Sequence, residues 1–168
     1  MKSRHDLSER SSRGTGPRLE VQLIAWVWLG MILGVSFLAA PAKFMAESLT
    51  LPVALDVGRA TFGLFDRLEW LWTAALLAVT WRRRRRGELD RRVVTTVGLI
   101  VGIVIVQSLV FLPRLDERVA LVIAGEDLPP SHLHSVSGAF EVVQAFLLLA
   151  LGFFASSLRR GGSTRAVG

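Results

Sequence analysis

Eight polar side chains lie within or beside stretches that are otherwise apolar: Lys43, Arg59, Asp66, Glu69, Gln107, His134, Glu141 and Gln144. An ionisable group at the centre of a membrane helix costs roughly 2.5–3.5 kcal/mol on insertion scales, so each one calls for a partner or a task. Their spacing is helical. His134, Ser137, Glu141 and Gln144 follow i, i+3, i+7, i+10 and share one helix face, and Arg59, Asp66, Glu69 and Thr73 nearly do the same. Two such stripes are best satisfied by facing each other, with Gln107 and Lys43 joining them. The expected result is a polar pocket that binds or passes a small solute or ion. The alternative is a hydrogen-bond and ion-pair network that only holds helices together. No motif identifies a reaction, and no residue is assigned as catalytic.

The elements that must position these groups follow from hydropathy. The chain has 168 residues, 51% hydrophobic and 20% charged, and the two classes are segregated rather than mixed. Residues 21–40, 93–112 and 142–158 carry no charge. A hydrocarbon core of about 30 Å needs about 20 apolar helical residues. Only helices or closed barrels satisfy their backbone there, and the lack of period-two alternation excludes a barrel. The expected fold is an all-α integral membrane protein, a bundle of four transmembrane helices at about 20–40, 58–81, 93–112 and 133–158. A disordered basic tail, 1–19, precedes the bundle and a short tail, 159–168, follows it. The first helix leaves open a continuation through Pro41 toward Glu47. The second is the least apparent, because its first half carries Arg59, Asp66, Arg67 and Glu69. Residues 48–57 read as a connection and 113–131 as an outer loop, with 114–124 a candidate interfacial helix.

The net charge of +6 could suggest nucleic acid, but the cations sit where membrane topology puts them. The N-terminal tail holds five Lys and Arg, the loop 82–92 seven and the C-terminal tail three, fifteen of the twenty. The positive-inside rule then predicts both termini in the cytoplasm, in a multi-pass inner-membrane protein that binds no nucleic acid. Arg82, Arg83, Arg84, Arg85 and Arg86 are expected to meet anionic lipids. Trp26, Trp28 and Trp81 fit an inner aromatic belt. Gly30 with Gly34, and Gly98 with Gly102, have the spacing that lets membrane helices approach closely. The absence of cysteine removes disulfides and thiolate chemistry.

At about 1.5 Å per residue from the cytoplasmic ends, Glu69, Gln107, Gln144, Asp66 and Glu141 fall at depths of about 18–25 Å. Lys43, Arg59 and His134 fall at the outer rim, so the pocket is expected in the outer half. An offset of 72 residues superposes Gly30 on Gly102, Pro41 on Pro113 and Glu69 on Glu141, which predicts a two-plus-two parallel repeat. A four-helix unit is small for transport, so a homo-oligomer is expected.

Three short segments carry a resemblance. Ala40-Pro41-Ala42-Lys43-Phe44, Leu112-Pro113-Arg114-Leu115-Asp116 and Leu133-His134-Ser135 resemble elements of the transmembrane protein 205-like four-helix membrane family, whose function is unknown. In layout that family is similar to copper-resistance D-type membrane proteins and to a haem-bearing protoporphyrinogen oxidase group. The resemblance implies a second functional class, a haem- or metal-dependent oxidoreductase using His134. From the residues themselves the cofactor and any metal ligands stay unassigned.

Overall fold

The computed structural model describes residues 16–87 and 89–157. Among these no strand forms, and four long helical rods pack side by side. Helix α1 runs from Gly16 to Ile32, widens into a π-helical stretch, Leu33–Ala39, and continues as Ala40–Met45. Helix α2 is Leu51–Arg84. Helix α3 runs Arg91–Val106, widens at Gln107–Phe111 and continues as Leu112–Ile123. Helix α4 is Leu133–Ser157. The rods pack in a ring, α1 on α2, α2 on α3, α3 on α4, and α4 most extensively back on α1.

Three of these helices are long and apolar enough to cross a membrane: Leu19–Met45, Arg91–Ile123 and Leu133–Ser156. This is one fewer than the four expected. Helix α2 has ample length, 34 residues. However, Asp56, Arg59, Asp66, Arg67 and Glu69 interrupt it, and its longest run free of charge is residues 70–81.

Boundaries also move. Helix α1 begins inside the segment expected to be a disordered tail, whose residues 1–15 lie outside the described ones, as do 158–168. Helix α2 starts at Leu51 rather than 58, because Pro52 falls in its first turn, where a missing N–H costs nothing. Asp90 caps α3, accepting the Arg92 N–H at 3.1 Å.

Within the expected outer loop the candidate helix at 114–124 does form, but as a direct continuation of α3 through Pro113 as far as Ile123. A proline inside a helix lacks one N–H and crowds the carbonyl four residues back. The chain absorbs this with a wide turn: Leu112, the residue before Pro113, donates its N–H to the Gln107 carbonyl five residues back. Ala40, before Pro41, does the same to Val35. Helix α3 ends later, where Gly125 adopts φ +89° and Glu126 N–H reaches the Leu121 carbonyl, a glycine-terminated stop.

Four stripes with alternating spacings of four and three close one end of the ring. Val21, Ala25, Trp28 and Ile32 come from α1, Val93, Val97, Ile100 and Val104 from α3, and Leu148, Leu151 and Ala155 from α4. The α2 stripe has the same spacing but is mostly polar: Glu69, Thr73, Leu76, Thr80 and Arg83. The glycine pairs do not take part. A Cβ built on Gly30, Gly34, Gly98 or Gly102 meets nothing within 4 Å, so these faces are not the close approaches their spacing suggested. The close approach is at Gly152, whose added Cβ would lie 2.8 Å from the Trp26 ring.

Candidate functional site

Beyond that closed end the helices enclose a cavity of about 570 Å³, lined from all four of them. Seven of the eight residues singled out from sequence line it: Lys43, Arg59, Asp66, Glu69, Gln107, His134 and Glu141. The eighth, Gln144, is fully buried and donates its side-chain amide to Glu69 Oε1 at 2.6 Å. The two polar stripes on α2 and α4 therefore face each other, with Gln107 from α3 and Lys43 from α1 completing the wall.

Glu69 is 5% exposed. Its Oε1 also accepts the Trp28 indole N–H at 3.1 Å. Trp28 is 0% exposed, so it is not the interfacial belt residue its place near the start of α1 suggested. Neither of these hydrogen bonds falls on the other Glu69 oxygen, and the residue lines the cavity. Trp81, in contrast, is exposed and stacks under the Arg85 guanidinium at 4.0 Å, as a belt residue would.

Each wide turn presents a polar side chain to the cavity: Ser36 from Leu33–Ala39 and Gln107 from Gln107–Phe111. Gln107 Nε2 is buried without a hydrogen-bond partner, and Ser36 stands beside the Glu141 carboxyl group. A wide turn splays neighbouring carbonyls and side chains, and such turns recur at functional sites.

The cations are placed differently. Arg59 is half-exposed and pairs loosely with Asp116 of α3 at 3.8 Å. The Lys43 ammonium lies over Gly58, in the space a Cβ there would take. The rings of Phe44 and Phe62 sit 4.9 and 5.4 Å from it. Among the described residues no carboxylate lies within ion-pair distance of Lys43, and no cation within that distance of Asp66, Glu69 or Glu141. The floor of the cavity is thus acidic and unneutralised, and its rim is basic.

His134 is exposed in the first turn of α4, at the cavity edge. Among the described residues no three His, Cys, Asp or Glu gather closely enough to hold a metal ion. Sequence reasoning missed Trp28, Ser36, Gly58 and Phe62, none of which is ionisable and none of which stands out in an apolar or small-residue context.

Residues 23–121, more than half of the chain, match the domain of unknown function DUF4149. The chain belongs to that family. The DUF4149 match takes in Trp28, Lys43, Glu69 and Gln107 and stops before α4, which supplies Glu141 and Gln144. No curated protein and no solved structure matches the chain. The likeness to transmembrane protein 205-like and copper-resistance D-type proteins therefore rests on the three short segments alone.

Proposed function

We propose that this DUF4149 protein crosses the cytoplasmic membrane four times, with both termini inside, and that its outer-half cavity binds or passes a small solute or ion. One observation carries the reading. Polar groups from four separate helices, all costly in lipid, meet around one cavity, and its carboxylates Asp66, Glu69 and Glu141 have no cation within ion-pair distance among the described residues. A cavity of this volume lies in the range of small-molecule sites.

For α2 as a fourth span, the support is its 34 residues and the direction of its stripes. Glu69, Thr73 and Thr80 turn inward, while Leu64, Leu71 and Trp81 turn outward. For the repeat, the support is that the wide-turn hydrogen bonds Ala40 to Val35 and Leu112 to Gln107 stand 72 residues apart, as do Glu69 and Glu141. At the inner end, Arg84, Arg85 and Arg86 are exposed and suited to anionic headgroups, while Arg82 is paired with Glu20 at 2.8 Å.

A thermal-shift screen of small solutes and ions, on the natural chain and on Glu141→Gln, tests the site. A shift lost in the variant is expected. No response to any solute, with both proteins equally folded, would leave the purely structural network as the better account. That second reading has its own support in the buried Trp28–Glu69–Gln144 contacts. A Soret band abolished by His134→Ala would instead point to the oxidoreductase class.

A further inference from the structure

We propose that the cavity is selective for a monovalent organic cation with an apolar body, its charge held between Glu69 and Glu141 and its body against Phe37, Phe62 and Phe65. This rests on the cavity being a solute site.

Charge sets the sign of the ligand. Asp66, Glu69 and Glu141 all line the cavity, and none has a cation within ion-pair distance among the described residues. Two basic groups line the same cavity, but neither reaches these carboxylates. Arg59 is drawn to Asp116, and Lys43 is held at the rim over Gly58 between Phe44 and Phe62. Carboxyl groups gathered without a paired cation favour a positive guest over a negative one.

The walls set its chemical class. Between the carboxylates and the rim the lining is apolar and aromatic, with Leu55, Leu112 and Leu115 beside the three phenylalanines. A small hydrated inorganic ion could not fill about 570 Å³ lined in this way. It would also have to shed its hydration against surfaces that cannot replace it. No metal-holding group of three forms among the described residues. A cation with an apolar body fits both requirements, because aromatic faces attract positive charge while burying hydrocarbon. The molecule itself shows the pattern in miniature: the Lys43 ammonium, on its own alkyl stem, already lies near Phe62, one of the three, and near Phe44.

A further polar group waits for a partner. Gln107, 9% exposed, lines the cavity, and its Nε2 has no hydrogen bond. It could donate to a hydroxyl or carbonyl oxygen carried next to the cationic centre.

The test is equilibrium binding to the full-length protein in a neutral detergent. Three probes of similar shape are used: tetraphenylphosphonium, tetraphenylborate and triphenylmethanol. Two variants accompany the natural chain. Glu141→Gln removes a carboxylate that takes no part in the Trp28 and Gln144 hydrogen bonds. Gly138→Phe fills the cavity from a lining position whose Cβ meets nothing within 4 Å. The expected result is that the phosphonium binds and the borate does not. Its affinity should fall about tenfold in E141Q, as for loss of one nearby charge, and vanish in G138F. If the borate or the alcohol binds as well as the phosphonium, and G138F blocks it, the cavity is a solute site but the cation assignment is overturned. If no probe binds, or G138F leaves binding unchanged, the solute-site reading falls with it.

Discussion

The Trp28 indole nitrogen donates to Glu69 Oε1 at 3.1 Å, joining α1 to α2 across 41 residues where both side chains are almost wholly enclosed. A hydrogen bond to a carboxylate in such a setting is worth about 1.5–3 kcal/mol. Trp28→Phe should therefore lower unfolding stability by about that amount. Glu69→Leu, which strips both Trp28 and Gln144 of their acceptor, should cost more than Glu69→Gln, which keeps one. Thermal unfolding of the three variants in detergent gives the order, and an E69Q protein less stable than E69L would contradict it.

The contact between Gly152 and Trp26 makes an unequal prediction for glycines. Gly152→Leu drives a side chain into the indole and should destabilise by about 1–3 kcal/mol, as overpacking does. Gly98→Ala has open space around it and should leave stability unchanged or raise it by up to about 1 kcal/mol. Equal effects of the two in the same unfolding assay would mean that α1 and α4 do not meet at this point.

Topology can be read by labelling, because the chain has no cysteine of its own. Single substitutions Ser3→Cys and Arg86→Cys should react with an impermeant thiol reagent only from the cytoplasmic side, and Glu126→Cys only from the other. Opposite sidedness for positions 3 and 86 would remove α2 as a span.

Lys43 and Gly58 should behave as a coupled pair. Gly58→Ala places a methyl where the ammonium rests, and the flexible lysine can swing aside, so the cost should stay below about 1 kcal/mol. In a Lys43→Ala background that cost should disappear. A double-mutant cycle measures the coupling, and a cost independent of position 43 would place the lysine elsewhere.

At the arginine-rich end of α2, changing Arg84, Arg85 and Arg86 to Gln should weaken retention of anionic lipid by about 1 kcal/mol per residue. Native mass spectrometry with phosphatidylglycerol reads this directly. Arg83 is left out because it is buried.

Much of the cavity lining was legible in the sequence because a charged or amide side chain in an apolar stretch is expensive wherever it points. Glu69, Gln107 and Glu141 had to turn inward, and their depth put them together. Features that depend on the relation between two helices were not legible. Nothing in the pattern around Pro113 separates a helix that stops from one that widens by a single hydrogen bond and goes on. Gly30 and Gly34 have the right spacing for close packing, but spacing does not say which face meets a neighbour. Gly152 does meet one and carries no motif. Trp28 sits where an interfacial tryptophan would, and only the α2 carboxylate opposite shows why it is enclosed.

The uneven make-up of α2 also bears on how the chain is built. Asp66, Arg67 and Glu69 would together oppose the partition of this segment into lipid by several kcal/mol if it arrived alone. In the four-span arrangement proposed above it must leave the translocon already leaning on α1, whose Trp28 stands ready for Glu69. The first two helices then enter as a hairpin, and a chain shortened after Arg92 should still integrate, whereas α2 fused behind a foreign leading span should not.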